Sequence, residues 1–298
     1  MTESTAVTAH SSPSSTAAAA SGETCADALE ALCAFVQRHP RLFVLTGAGV
    51  STDSGIPGYR DANGNWMRAQ PIEYKAFVNS ERARRRYWAR SMVGWPMLAA
   101  ARPNAAHTAL ARLEQAACVA TLVTQNVDGL HQRAGSTGVI ELHGSIRDVI
   151  CLACGAGHSR ESVQDILAAE NPGLAGAFAQ PSADGDAHLE WADLDTFRVP
   201  ACPHCGGMLK PSVVFFGENV PRSTVEAAAA ALEAADAMLV IGSSLMVYSG
   251  YRFCVWAARA GMPVAAVNLG RTRADAMLAL KVAAPCGDAL AALAERMA

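Results

Sequence analysis

Leu42-Phe43-Val44-Leu45-Thr46-Gly47-Ala48-Gly49-Val50-Ser51-Thr52-Asp53-Ser54-Gly55-Ile56-Pro57-Gly58-Tyr59-Arg60-Asp61 is the stretch around which the chain is organised. Its four leading apolar residues read as a buried parallel strand, because a strand covered on both faces needs no alternation with polar residues. The small residues that follow let a backbone turn come close to a ligand, a geometry suited to a phosphate or a ribose. The run departs from the Gly-x-Gly-x-x-Gly fingerprint, and no acidic residue closes the next strand about 20 residues on. By itself, then, it admits both a nucleotide-binding loop and an ordinary tight turn.

Outward from this stretch, composition bounds the rest. At 298 residues the chain has room for one large or two moderate domains. A content of 51% hydrophobic against 17% charged residues, with net charge −3, argues against a general nucleic-acid or membrane-surface binder. No apolar run approaches the roughly 18 residues of a membrane span. The first Lys or Arg is Arg38, so the sequence shows neither a basic n-region nor an Arg-rich transit peptide. Nine cysteines, four of them in Cys-x-x-Cys pairs, point to a reducing compartment and hence the cytoplasm. Residues 1–24 are mostly Ser, Thr and Ala, with nothing to offset ordering entropy, and predict a disordered tail.

Thr24 caps an expected helix over about 25–38, with Leu29, Leu32, Cys33 and Val36 on one face. Residues 62–103 break the pattern with Asn63-Gly64-Asn65 and the basic run Glu81 to Arg90, an insertion of loop and helices. Asn104 caps the next helix, followed by strands at Val119–Val123 and Val139–Leu142. Residues 147–211 show little sustained periodicity and suit an irregular module held by something other than a core. Val213–Phe216 and Met238–Ile241 read as strands flanking a helix opened by the capping box Ser223-Thr224-Val225-Glu226. A strand at Val264–Val267 and a helix from about 287 complete the chain. The alternation predicts an α/β fold, a doubly wound parallel sheet with two insertions, whose ligands sit beyond the carboxyl ends of the strands.

Cys151-x-x-Cys154 and Cys202-x-x-Cys205 can complete a tetrahedral S4 site for Zn²⁺. Such a site leaves no open position, which makes the metal structural; two separate redox pairs are the alternative over a gap of 47 residues. His143 ends a strand beside the polar loop Gln125, Asn126, Asp128 and can serve as a base near neutral pH, or as a hydrogen-bonded structural residue. His107 and His131 carry no such neighbours and read as structural. Gly242-Ser243-Ser244 and Asn268-Leu269-Gly270 repeat the theme of a strand followed by small polar residues, which together indicate a nucleotide crevice.

These segments together resemble the sirtuin family of NAD-dependent protein deacylases. The resemblance rests on Gly47-Ala48-Gly49-Val50-Ser51-x-x-Ser54-Gly55-Ile56-Pro57-x-Tyr59-Arg60, Gln125-Asn126-Val127-Asp128-Gly129-Leu130-His131, His143-Gly144, the two cysteine pairs, Phe216-Gly217-Glu218, Gly242-Ser243-Ser244-Leu245 and Asn268-Leu269-Gly270. Arg86-Tyr87-Trp88-Ala89-Arg90 and Val247-Tyr248-Ser249-Gly250-Tyr251-Arg252-Phe253 are similar to the class II branch. Gly58, Tyr59 and Val127 depart mildly from the commoner family residues.

The resemblance implies a Rossmann-like NAD domain (25–61, 104–146 and 212–298) and a smaller domain made of a helical module (62–103) and a zinc module (147–211). It implies NAD and one Zn²⁺ as cofactors, and an acyl-lysine peptide added as a strand near Phe216, Gly217, Glu218, Val247 and Tyr248. The implied reaction transfers the acyl group to ADP-ribose and releases nicotinamide. His143 is then the general base toward a ribose hydroxyl, Asn126 positions ribose and water, and Asp128 holds the nicotinamide carboxamide. By the same resemblance Gly47, Ala48, Gly49, Ser51, Pro57, Tyr59, Arg60 and Gln125 line the cofactor pocket. Gly242, Ser243, Ser244, Asn268, Leu269, Gly270 and Cys286 border the rest of the dinucleotide. Tyr87-x-x-Arg90 is similar to a pair that holds acidic acyl chains in another sirtuin class, extending the expected substrates to succinyl- or glutaryl-type lysines. The competing view of Arg90 is a solvated helix face shared with Arg82, Arg84, Arg85 and Arg86. Two rivals stand beside deacylation: ADP-ribosyl transfer onto protein, and a non-catalytic NAD-sensing, zinc-containing binding module.

Overall fold

The computed structural model describes residues 25–67, 71–174 and 194–297; the expected tail, the Thr24 cap and part of the expected zinc module lie outside them. In chain order the helices and strands are α1 (Cys25–Arg38), β1 (Leu42–Thr46), α2 (Tyr74–Asn79), α3 (Glu81–Ala100), α4 (Ala105–Gln115), β2 (Val119–Thr124), α5 (Leu130–Arg133), β3 (Val139–Glu141) and β4 (Gly144–Cys151). There follow β5 (Gly157–Ser159), α6 (Arg160–Glu170), β6 (Leu209–Val213), α7 (Arg222–Glu233), β7 (Ala237–Ile241), α8 (Tyr248–Arg259), β8 (Val264–Val267), β9 (Leu280–Val282) and α9 (Cys286–Met297).

Six parallel strands form one sheet in the order β3-β2-β1-β7-β8-β9. Counted along the chain this is 3-2-1-4-5-6, the Rossmann arrangement, with the order reversing between β1 and β7. β1 is buried along its whole length because it has helices on both faces. Leu42 and Val44 pack with α1, α4 and α9; Phe43 and Leu45 pack on the other side with α7 and α8. Asn104 caps α4 as expected, its Oδ1 accepting from Ala106 N at 2.9 Å.

A second, three-stranded sheet, β5-β4-β6, is antiparallel and shares a core with α2, α3 and α6. Three sequence expectations fail here for physical reasons. The apolar run Val213–Phe216 is not a strand of the large sheet: its strand begins at Leu209, ends at Val213 and pairs with β4. The segment 147–211 is not coreless, because α6 buries Val163 and Leu167 against Trp88, Met92 and Trp95 of α3. Nor does Ser223 cap α7, which starts at Arg222 after Pro221 with no side-chain cap and instead carries the pair Arg222–Glu226 at 2.6 Å. No helix among the described residues is long and apolar enough to cross a membrane.

Candidate active site

The loops after β1, β2, β7 and β8 open on the same edge of the sheet, at the switch point where β1 and β7 lie side by side. The two central loops are pressed together. Gly49 N donates to the Gly242 carbonyl at 2.8 Å, and a Cβ on Gly47 would come 2.7 Å from Ser243 Cβ. Only glycine allows this approach, which turns the sequence pattern Gly-Ala-Gly into a requirement of the crevice.

Between these loops and the segment after β6 lies one cavity of about 810 Å³. Its wall holds Gly47, Ala48, Gly49, Ser51, Pro57, Tyr59 and Arg60 from the β1 loop, with Gln125, Asn126, Asp128 and His143. Gly242, Ser243, Ser244, Asn268, Leu269 and Gly270 line it from the β7 and β8 loops, and Phe216, Gly217, Glu218, Val247, Tyr248 and Tyr87 from the far side. Two expected residues are not in this wall. Cys286 is half-buried at the start of α9, its Sγ 3.9 Å from the Val267 carbonyl, and burial raises its pKa to about 11, so it remains a thiol. Arg90 is buried on α3, where the chain passes from exposed and half-buried positions at 81–86 into the small lobe's core; the solvated-face view fails for it too. Sequence reasoning gave no role to Trp66, Ser249 and Arg252, which also line the cavity. Trp66 joins Tyr59 and Phe216 in an edge-to-face cluster with centroids 5.5–6.3 Å apart, under the Arg60 guanidinium at 4.1 Å.

Polar side chains fix the floor. The Ser51 hydroxyl donates to Asp128 Oδ2 at 2.7 Å and accepts from Asn126 Nδ2 at 3.0 Å. Asp128 Oδ1 accepts from Leu130 N at 2.9 Å. Gln125 Nε2 donates to Ser243 Oγ at 2.8 Å, tying the β2 loop to the β7 loop. Behind Ser51 lie His107 and His131, fully buried with ring centroids 4.8 Å apart. Burial pulls their pKa values down to about 4 and about 3, so both are neutral imidazoles of the floor rather than bases facing the cavity.

His143 is different. Its Nδ1 lies 2.9 Å from the Gln125 carbonyl, which can only accept, so Nδ1 carries the proton and Nε2 keeps its lone pair. Nε2 points into the cavity wall at Ser249 Oγ, 2.7 Å away. Burial lowers the ring's pKa; the Gln125 carbonyl opposes this and the Arg252 charge adds to it, leaving a net shift downward.

In the small lobe the Sγ atoms of Cys151, Cys154, Cys202 and Cys205 lie within 4.8 Å of one another. Tetrahedral zinc with bonds of about 2.3 Å requires sulfurs about 3.8 Å apart. Cys151–Cys205 at 3.6 Å and Cys154–Cys202 at 3.9 Å meet that spacing, so the four thiolates fit a structural zinc ion and not two separate redox pairs. A Cβ on Gly207 would come 3.0 Å from Cys151 Sγ, so a glycine there leaves the sulfurs room to converge.

Comparison with known proteins bears on this arrangement directly. The Sir2 family model matches residues 47–249. The NAD-dependent protein deacetylase of Xanthomonas campestris pv. campestris (strain 8004) is 59% identical over 263 residues, 88% of this chain and 90% of that protein. Its counterpart in Bordetella bronchiseptica is also 59% identical, over 88% of this chain and 96% of that protein. A solved Sir2 structure superposes with a TM-score of 0.72 at 32% identity, covering 91% of this chain and 98% of that one. A Sir2–p53 peptide–NAD+ complex does so with a TM-score of 0.67 at 29% identity, over 90% and 96%. The matched segment carries the β1 loop, the Ser51–Asp128 floor, His143 and the four cysteines, and on these grounds the chain belongs to the Sir2 family.

Proposed function

We propose that the protein is an NAD-dependent protein-lysine deacetylase that transfers the acyl group to ADP-ribose with release of nicotinamide. The observation that carries this reading is the orientation of His143: a neutral imidazole whose Nδ1–H is held by Gln125 O and whose Nε2 lone pair faces a cavity walled by the β1, β2, β7 and β8 loops.

Bound NAD supplies an electrophilic ribose carbon and a leaving nicotinamide. The chain's own residues supply the rest. The tightly apposed loops at Gly47–Gly49 and Gly242–Ser244 form the cradle for the dinucleotide, with Asn268 beside it. The preset Asp128 carboxylate presents acceptors for a carboxamide, and Asn126 a polar amide toward ribose and water. His143 takes a hydroxyl proton at Nε2 while its other nitrogen keeps its own proton on Gln125 O. Tyr59, Trp66 and Phe216 cover the cavity with apolar surface that keeps water from the reacting atoms.

β6 is an edge strand, and the segment after it lines the cavity together with Val247 and Tyr248. A peptide carrying acetyl-lysine adds there by backbone pairing, with little call on its side chains. The wall offers Tyr87 but not Arg90 to the acyl chain, which favours acetyl over an acidic group gripped by that arginine. Segments 62–103 and 147–211 act as one lobe around the zinc site, opposite the cofactor domain. Outside the zinc site, Cys33, Cys118, Cys254 and Cys286 are free thiols, which suits a reducing, cytoplasmic setting.

Incubation with NAD and an acetyl-lysine peptide is expected to yield nicotinamide, deacetylated peptide and O-acetyl-ADP-ribose in equal amounts. His143→Ala is expected to lower turnover by about 10²–10⁴-fold. Near-native turnover by that variant would refute the role of His143. ADP-ribose found on protein, with no acyl-ADP-ribose, would shift the reading to protein ADP-ribosylation; NAD binding without nicotinamide release would shift it to a sensing module.

A further inference from the structure

His143 Nε2 has a partner that the reaction scheme does not use. It lies 2.7 Å from Ser249 Oγ, and Ser249 is 9% exposed at the start of α8. Since Nδ1 donates to Gln125 O, the Nε2 lone pair accepts and the Ser249 hydroxyl donates. Three residues on, one helical turn away, Arg252 lines the same cavity. Its guanidinium lies 5.3 Å from the Tyr248 ring centroid, and its Nε is buried with no hydrogen-bond partner among the described residues. The other charged groups of the cavity wall are Arg60, Asp61, Asp128, Glu218 and Arg271. Asp61 is held by its own loop at Asn63 and Asn65, Asp128 by Ser51 and Leu130, Glu218 by Lys210, and Arg60 sits on Trp66. Arg271 is exposed. Burial is the main cause of the lowered pKa of the His143 ring, and of these charges the one that adds to it is Arg252.

We propose that Ser249 and Arg252 are positioning residues for His143: the hydroxyl docks the imidazole by its reactive nitrogen, and the guanidinium one helical turn on sets a positive charge in the same cavity wall. This rests on the reading of His143 as the base. With both ring nitrogens hydrogen-bonded, the imidazole has no free rotation, and Nε2 stays aimed at the cavity until an incoming hydroxyl replaces Ser249 there. A cation in the same wall disfavours a second positive charge on the ring, which works in the same direction as burial. The device comes from α8: Tyr248, Ser249 and Arg252 share the face of its first turn that meets the cavity.

The test is steady-state kinetics of the full chain on an acetyl-lysine peptide across pH, with NAD affinity measured separately by calorimetry. Ser249→Ala is expected to lower kcat by about 10–100-fold with NAD affinity unchanged, and Ser249→Thr, which keeps the hydroxyl, to recover most of it. Arg252→Met is expected to move the acid limb of kcat/KM up by about one pH unit, because removing a neighbouring positive charge eases protonation of the ring; Arg252→Lys is expected to hold the limb near its original place. Full kcat in Ser249→Ala, equal losses of kcat and NAD affinity in it, or an acid limb unmoved in Arg252→Met would each overturn the proposal. His143→Ala run in parallel separates the two readings: if it stays active the base assignment itself falls, and if it is dead while the other variants match wild type, only the role of α8 falls.

Discussion

Removing the Glu218 carboxylate tests whether the segment expected to pair with peptide is held in place from behind. Lys210 Nζ lies 3.0 Å from Glu218 Oε2 and 2.6 Å from the Val213 carbonyl, and the two side chains are 6% and 23% exposed. The same carboxylate oxygen accepts from Phe215 N at 2.8 Å, closing the turn that leads to Phe216 and Gly217. Breaking a fully buried ion pair from one side costs about 3–5 kcal/mol. Glu218 is partly solvated and Lys210 keeps the Val213 carbonyl, which reduces that share to about 2 kcal/mol. The orphaned Phe215 N–H adds about 1 kcal/mol. Glu218→Ala should therefore lose about 3 kcal/mol in chemical denaturation and raise the KM for acetyl-lysine peptide while leaving the affinity for NAD unchanged. The double variant Lys210→Met, Glu218→Gln has no lone buried charge, and its amide oxygen can still accept from Phe215. Its stability should return to within about 1 kcal/mol of wild type. A Glu218→Ala protein with native stability and native peptide KM would refute the reasoning, as would a double variant less stable than either single one.

Other perturbations probe the remaining parts of the site. Metal analysis should find one zinc per chain, and Cys202→Ser or a strong chelator should remove it and unfold the small lobe, seen as lost tertiary circular dichroism around Trp88 and Trp95; full structure without zinc would contradict the thiolate geometry. Gly49→Ala places a Cβ 2.8 Å from the Gly242 carbonyl and should weaken NAD binding at least about 10-fold by parting the β1 and β7 loops, with native affinity as the contrary result. Arg160 is fully buried between Trp88 and Trp95, and burial lowers its pKa to about 10, so its charge costs about 3 kcal/mol at neutral pH, a cost fully present below about pH 10. Arg160→Met sheds that cost together with the hydrogen bonds to Ser91 and Gln164 and should stay within about 1 kcal/mol of wild type; Arg160→Ala leaves a cavity and should lose about 3 kcal/mol, and equal losses in both would show that the hydrogen bonds dominate.

What could be read from the sequence, and what could not, divides along physical lines. β1 was legible because a strand buried on both faces has to be apolar throughout and because the crevice beyond it admits only glycine at 47 and 49. The cysteine pairs were legible because four sulfurs on two tight turns have one geometry in common. Val213–Phe216 misled because four apolar residues in a row look alike whether they enter a parallel or an antiparallel sheet; the true strand starts at Leu209 and includes Lys210 and Pro211, which no strand propensity favours. Lys210 is accommodated there because Glu218 turns back to meet it and the Val213 carbonyl accepts from it. Arg90 was ambiguous because the burial of α3 changes partway along it, between Arg86 and Tyr87, and a charge count cannot show where a helix enters a core.

The same limit explains why the surroundings of His143 stayed hidden. Ser249 lies 106 positions from it in the chain, in a helix whose own pattern gives no reason to single out a serine at its start. A base needs an aimed lone pair and a pKa that leaves it unprotonated, and neither is a property of the histidine alone. The first is set by Gln125 and Ser249, the second by burial and Arg252, so all three side-chain and backbone partners come from outside the strand end that carries the ring. On the reading proposed above, the motif names the base, and the docking of α8 against the β2 loop sets the surroundings in which it acts.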